Sequence, residues 1–158
     1  VEAMNYEGKY AELLGLESDT NCQVRSDNFH SVIDEYPDLE MVAQQSANWD
    51  QTQAYEKAEA ILQSNPDITG AVQACIDAGR DDIKIIGVDG SDDAAAYIKD
   101  GNMVGTALQQ IALITETAVR QADEYLKGTA PAQEKQLIPC IAVTADNVDK
   151  LSGFVYTE

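Results

Sequence analysis

The sequence has a single histidine among its 158 residues and none of the short motifs that mark many enzymes. His30 lies among polar neighbours in a predicted helix, so we expect a surface position rather than a catalytic role. The motifs GxSxG, GxxxxGKS/T and HExxH are absent, and no GxGxxG follows a predicted strand. These absences argue against an enzyme, and we expect the site to hold neither a cofactor nor a metal ion.

Basic residues are scarce as well. The chain has 10 Lys and Arg against 28 Asp and Glu, which gives a formal charge of −18. Phosphate groups are bound by clustered Lys and Arg side chains, so DNA, RNA and anionic membrane surfaces are poor partners. The acidity is instead typical of a very soluble protein.

Cysteines and long apolar runs are also few. Cys22, Cys75 and Cys140 have neither a metal-ligand nor a CxxC spacing and allow at most one disulfide within the chain. We expect them to be buried free thiols. No apolar run approaches the roughly 18–20 residues that a membrane helix needs.

Apolar runs and helical patterns alternate along the whole chain. Strands are predicted at residues 10–15, 39–45, 83–90, 102–109 and 137–143, with helical patterns after the first four. Thr20 and Gln23 have capping-box spacing for the first helix, and Asp50 and Gln53 cap the second. This alternation predicts an α/β fold with a doubly wound parallel sheet and right-handed crossovers, in one Rossmann-like or flavodoxin-like lobe spanning residues 1–158.

Three segments carry more specific predictions. Two helices should each turn one apolar face to the core. In the first helix this face consists of Phe29, Val32, Ile33 and Tyr36. In the last long helix it consists of Ile111, Ile114, Ala118, Ala122 and Tyr125. Residues 65–82 are too few for both a strand and a helix, so about five strand residues and a loop are missing near residues 68–70. Either the fold lacks this unit, or residues are absent from the sequence.

Polar side chains follow four of the predicted strands, where a doubly wound sheet binds its ligands. Arg25 offers a planar fork of donors, and Trp49, the only tryptophan, offers a flat apolar face. Asp89 follows a wholly apolar strand and needs a partner, while Gln109 can both donate and accept. Sugars present hydroxyl groups and an apolar ring face, so these residue types predict a small polar ligand such as a sugar.

The same residues carry a family resemblance. The segments YAELLGLESDTNCQVRSDNF, QQSANWDQTQAYEKAEAILQSNPDI and DAGRDDIKIIGVDGSDDAAAYIKDGNMVGTALQQ resemble the C-terminal lobe of ribose-type periplasmic sugar-binding proteins of ABC importers. The resemblance implies a type I periplasmic-binding-protein fold, in which two hinged lobes close on a sugar and are presented to a membrane permease. It implies sugar contacts at Arg25, Trp49, Asp89 and Gln109.

The chain departs from the family pattern in two respects. A further sugar-binding asparagine in an N-D motif has no counterpart between Ile68 and Gly70, and the N-terminal lobe is missing. The chain is therefore interpreted as a truncated or engineered half, or as an incomplete record, of a periplasmic protein. Alone, such a lobe should bind sugars weakly or undetectably, and its exposed inter-lobe face should favour self-association.

Two other functions stay open. The effector-binding lobe of a lactose-repressor-like transcription regulator shares the fold, and a helix-turn-helix upstream would distinguish it from a transport protein. An enzyme with a flavodoxin-like or receiver-like fold is a distant third alternative. In that case Asp89, Asp92 and Asp93 would hold magnesium at a phosphoacceptor site.

Overall fold

The computed structural model describes residues 1–68, 80, 82–130, 133 and 135–157. The chain divides into two compact units, Val1–Ile86 with Asn102–Val104, and Gly87–Gly101 with Gly105–Glu158. Both contain helices and strands, as the predicted α/β class requires. The sequence predicts that a strand and a loop are missing near residues 68–70. Residues 69–79 lie outside the described residues, so this stays a prediction.

The first unit is built on two parallel strands. β1 (Gly8–Leu14) pairs with β2 (Leu39–Ser46), and α1 (Thr20–Ile33) connects them. α2 (Gln51–Ser64) follows β2 and turns Ala58, Ile61 and Leu62 inward, as its apolar spacing predicts. These helices and strands agree with the sequence pattern to within a few residues.

Two apolar clusters form the core of this unit. The larger consists of Ile61, Leu62, Ile68, Ile83 and Ile85. The smaller joins Tyr10 of β1, Ile33 of α1 and Leu39 of β2. The predicted stripe of α1 is only partly confirmed, because Ile33 is buried whereas Phe29 and Val32 are exposed. Helical spacing selects a face, but a side chain is buried only where another element covers it.

The second unit contains a three-stranded sheet. β3 (Ile86–Asp89), β4 (Gly105–Leu108) and β5 (Ile141–Thr144) lie in the order β3-β4-β5, and β5 runs antiparallel to β4. The prediction of parallel pairing throughout is therefore wrong for this last pair. An antiparallel strand at the end of an otherwise parallel sheet is common in doubly wound folds.

Helices and a small hairpin complete the second unit. α3 (Asp92–Lys99) follows β3, and α4 (Ile111–Leu126) follows β4. The C-terminal segment forms a 3-10 turn at Val148–Lys150 and a hairpin of β6 (Leu151–Ser152) and β7 (Val155–Tyr156).

The third strand is shorter and less covered than expected. The sequence predicts a continuous, β-branched strand at residues 83–90, as expected for a strand covered on both faces, whereas β3 begins at Ile86. Ile83 and Ile85 are buried, but Ile86 is 59% exposed and Val88 is 44% exposed. Because successive side chains of an extended segment point to opposite faces, this segment buries one face and exposes the other.

The predicted core face of α4 is not buried. No residue of this helix is buried, and Ile111, Ile114 and Tyr125 are at least 40% exposed. The amphipathic pattern is present, but no described element packs on it closely enough to bury a side chain. The sequence pattern predicts which side chains share a face, but it does not predict which element of the fold would cover that face.

Two composition-based expectations can be checked in the described part of the chain. Cys22 is a buried free thiol, as expected, but Cys140 is exposed because it lies in an irregular segment just before β5; Cys75 lies outside the described residues. Among the residues that the structure describes, no helix is both long and apolar enough to span a membrane.

Candidate functional site

The carboxyl ends of β1 and β2 are joined by hydrogen bonds. The Ala47 amide donates to the Leu14 carbonyl over 2.8 Å, which extends the pairing past the end of β2. The Ser46 hydroxyl donates to the Gly15 carbonyl over 2.7 Å. These contacts fix the start of the loop that leads from β1 to α1, the helix of Arg25, and the start of the loop after β2 that carries Trp49.

Trp49 lies on the loop after β2 in an unusual backbone conformation. Asn48 and Trp49 have φ values of 54° and 61°, in the left-handed region that side chains other than glycine seldom adopt. Such strain often accompanies functional positions. The Trp49 indole Nε1 donates a hydrogen bond to Asp19 Oδ2 over 3.1 Å, and the residue remains 50% exposed.

The Trp49 ring lies directly against the backbone of Gly15. A Cβ atom at position 15 would come within 2.2 Å of the ring atoms Cε2 and Cζ2. Only glycine allows this approach, because any side chain would displace the indole. Sequence reasoning assigned Gly15 only the end of a strand, and the glycine directly after an apolar run was the available signal.

Arg25 of α1 is the cationic neighbour of this ring. Its guanidinium carbon lies 5.1 Å from the centroid of the Trp49 ring, within the range of a cation–π interaction. The two predicted ligand-binding residues of the first unit are therefore in contact.

The caps of the two helices in this unit can be compared with the prediction. The cap of α1 lies one residue earlier than predicted, because Asp19 Oδ1 accepts a hydrogen bond from the Asn21 amide over 2.9 Å. The Thr20 capping box is therefore incorrect, and Asp19 is the cap since its carboxylate reaches a free amide of the first turn. The Asp50 cap of α2 is confirmed.

Asp89 ends β3 in a left-handed conformation, with a φ of 82°, and Gly90 follows with a φ of 75°. The Gly90 amide donates to the buried Thr106 hydroxyl of β4 over 3.2 Å. Thr106 thus shapes the turn that presents Asp89, a role that sequence reasoning missed. The Ser91 hydroxyl then accepts from the Ala94 amide and begins α3.

The Gln109 amide donates a hydrogen bond to Asp89 Oδ1. The predicted need of this carboxylate for a partner is thereby confirmed. Both residues are only partly buried, so groups on each are within reach of a ligand. A carboxylate beside an amide offers acceptors and donors together, which is the combination that a sugar hydroxyl can use on both sides.

The four predicted site residues thus form two pairs, and each pair lies within one compact unit. Arg25 and Trp49 form the first pair, and Asp89 and Gln109 the second. Within the described ranges, no group of three or more His, Cys, Asp or Glu side chains is arranged to hold a metal ion.

His30 lies outside this site, in a network on β1 and α1. Its Nε2 is 3.1 Å from Glu12 Oε2, and its Nδ1 is 3.1 Å from Asp34 Oδ1. The hydrogen bond to Asp34, joined by the one to Glu12, raises the pKa of His30 above its usual value. The predicted surface position is partly right, since the side chain is 23% exposed.

An open depression of about 590 Å³ lies near the start of β1. Its lining includes Met4, Glu7, Asp38 and Lys84, and none of the four predicted site residues. A ligand of a doubly wound sheet binds beyond the carboxyl ends of the strands, whereas this depression adjoins Gly8, at the opposite end of β1. We therefore place the candidate site at the strand ends.

Comparison with known proteins identifies relatives over most of the chain. Residues 1–130 match the model of the family described as periplasmic binding protein domain. The D-apiose import binding protein of Actinobacillus succinogenes is 45% identical over 171 residues, which cover 98% of this chain and 54% of that protein. The ribose import binding protein of Bacillus subtilis is 37% identical over 131 residues, covering 76% of this chain and 42% of its own length.

A solved structure agrees with these relatives. An ABC transporter periplasmic solute-binding protein from Actinobacillus succinogenes, with bound D-allose, superposes with a TM-score of 0.90 at 28% identity. The match covers 95% of this chain and 56% of that one. The predicted type I fold is thereby confirmed, and the chain spans about half the length of the relatives that it matches.

Proposed function

The chain belongs to the periplasmic binding protein domain family, and on that premise we propose that it binds a monosaccharide or polyol. It would act as one lobe of the solute-binding protein of an ABC importer, in the periplasm, and deliver its ligand to a membrane permease. It would not be an enzyme. The observation that carries this proposal is the Arg25–Trp49 pair beyond the carboxyl ends of two parallel strands.

Trp49 supports a ligand with an apolar ring face. The residue is 50% exposed, although its ring packs on Gly15 and donates a hydrogen bond to Asp19. A rigid aromatic side chain with exposed surface is suited to stacking against the C–H face of a sugar. Arg25 beside it supplies several N–H donors for the hydroxyl groups at the ring edge.

Asp89 and Gln109 support a ligand rich in hydroxyl groups. The side-chain amide of Gln109 donates a hydrogen bond to Asp89, so a carboxylate and an amide lie side by side at the strand ends. Together they present the acceptors and donors that sugar hydroxyl groups can use. The acceptors suit neutral polyhydroxy compounds and disfavour anions.

A pentose is the ligand class that we favour. Two relatives at 45% and 42% identity are named D-apiose import binding proteins, and a third is named for ribose. The Trp49 face and the polar pair would suit either sugar. We therefore propose D-apiose and related pentoses as the first ligands to test.

We also propose that the chain lacks an internal segment, because residues 65–82 are too few for both a strand and a helix. The alignment with the Actinobacillus protein runs over 171 residues, which is longer than the whole 158-residue chain. An alignment longer than the chain requires gaps in the chain. A strand and its loop would account for a gap of this size, and would contain the further asparagine contact that the family resemblance implies.

Calorimetric titration tests the proposed function at two levels. The chain alone should show no micromolar affinity for D-apiose, ribose, other pentoses or hexoses, because half of the contacts and all of the closure are lost. A chimera tests the residues themselves. In this chimera, the matching half of the Actinobacillus protein is replaced by the present chain, into which the missing internal segment has been restored.

The chimera should bind a pentose with micromolar affinity, and Arg25→Ala, Trp49→Ala and Asp89→Ala should each weaken binding about tenfold or more. Leu126→Lys, on the exposed face of α4, is the control and should leave affinity unchanged. A folded chimera without sugar affinity would overturn the proposed function. Micromolar binding by the chain alone would overturn the proposal that it supplies only half of the site.

A further inference from the structure

We propose that Asp19 is the positioning residue of the Arg25–Trp49 pair, an inference that rests on the proposed function. Its two carboxylate oxygens have separate partners. Oδ1 accepts the Asn21 amide at 2.9 Å, and Oδ2 accepts the Trp49 indole Nε1 at 3.1 Å. One side chain therefore begins the helix that carries Arg25 and also holds the ring that Arg25 covers.

The Trp49 ring is restrained from three directions. The backbone of Trp49 has a φ of 61°. The indole Nε1 donates a hydrogen bond to Asp19, and the six-membered ring lies on the backbone of Gly15. A half-exposed tryptophan on a loop without such restraints would be expected to move among several rotamers. The Asp19 bond is the polar restraint, and it fixes the rotation of the indole that packing on Gly15 alone leaves open.

Fixing the ring in advance should strengthen ligand binding. A mobile side chain loses rotamer freedom when a ligand stacks on it, and this loss weakens binding by about threefold to tenfold per side chain. Because Asp19 also caps α1, it should keep Arg25 at a constant distance from the ring. Asp19 need not touch the ligand to have this effect.

Asp19→Asn separates the two roles of the carboxylate. The asparagine oxygen can still cap α1, since asparagine is as good a cap as aspartate. Its amide nitrogen, however, is a donor and cannot accept from the Trp49 indole. The variant should therefore keep the helix and lose the bond to the ring.

The fluorescence of Trp49 reports this change directly, because the chain has only one tryptophan. In the chain itself, Asp19→Asn should lower the emission anisotropy and increase quenching by acrylamide, with unchanged far-UV circular dichroism. Asp50→Asn is the matched control. Asp50 is the neighbour of Trp49 in sequence and caps α2 through the Gln53 amide, so the substitution tests a cap alone.

Gly15→Ala provides a second variant, in which the added Cβ should displace the ring and change the same fluorescence signals. Fluorescence of Asp19→Asn identical to that of the unsubstituted chain would overturn the proposal. In the pentose-binding chimera, Asp19→Asn should weaken affinity threefold to tenfold while Asp50→Asn does not, and equal affinities would also overturn it. An unsubstituted chimera that binds no sugar would instead overturn the proposed function, and the fluorescence comparison would still test how Asp19 holds Trp49.

Discussion

The side-chain amide of Gln109 donates a hydrogen bond to Oδ1 of Asp89 and so joins the end of β4 to the end of β3. The two residues are twenty positions apart, and the whole of α3 lies between them in sequence. Asp89 adopts a left-handed backbone conformation at this point. Asp89 therefore combines a strained backbone with a carboxylate that accepts a hydrogen bond from the Gln109 amide.

Gln109→Glu should destabilise the chain by about 1–2 kcal/mol at neutral pH, because it replaces a donor by a second carboxylate beside Asp89. Urea denaturation at neutral pH measures this loss.

Gln136→Glu is the control for this prediction, since it adds the same charge at an exposed position. It should change stability by less than about 0.5 kcal/mol. An equal loss in both variants would show that net charge, and not the Asp89 contact, is responsible.

Gly90→Ala should be more destabilising than Gly101→Ala, although both glycines have positive φ values, of 75° and 77°. A Cβ at position 90 would lie 2.6 Å from Leu108 Cδ1, whereas nothing lies within 4 Å at position 101. Left-handed strain alone costs about 1–2 kcal/mol, and crowding adds about 1–3 kcal/mol. Urea midpoints of the two variants should therefore differ clearly, and equal midpoints would contradict the close approach of Leu108.

His30 should stabilise the first unit more at low pH than at high pH. Its folded-state pKa is raised, chiefly by the hydrogen bond to Asp34, and also by Glu12. Its contribution is therefore complete below the ordinary histidine pKa of about 6.5 and is lost as the pH rises through the folded-state value. His30→Gln should lower the melting temperature more at about pH 5.5 than at about pH 8. Equal losses at both pH values would contradict a charged His30.

The exposed face of α4 should promote self-association, as we propose from Val119 and Leu126, which are 65% and 85% exposed. Val119→Lys with Leu126→Lys should reduce both dye binding to apolar surface and any concentration-dependent increase in sedimentation coefficient. Glu116→Gln with Glu124→Gln changes the charge by the same amount at exposed positions on the opposite, polar face of the helix and leaves the apolar side chains in place. Identical behaviour of the two double variants would argue against an apolar contact surface.

Much of the local structure could be predicted because it depends on neighbouring residues. The spacing of apolar residues predicted α2 and its buried positions Ala58, Ile61 and Leu62, and Asp50 was recognised as its cap. The apolar strand before Asp89 predicted that this carboxylate would have a partner. Hydrogen-bonding groups and backbone preferences act over a few residues, so the sequence alone determines them.

Tertiary structure decided what these elements cover and which loops meet. Ile114 and Val88 have the pattern of buried residues and are exposed, because burial depends on a surface supplied from elsewhere in the chain. Asp19 follows β1 and Trp49 follows β2, thirty residues later, and only the parallel pairing of these strands brings them together. The sequence therefore determined the kinds of groups at the strand ends, while the fold determined that Asp19 and Gly15 hold Trp49 in place.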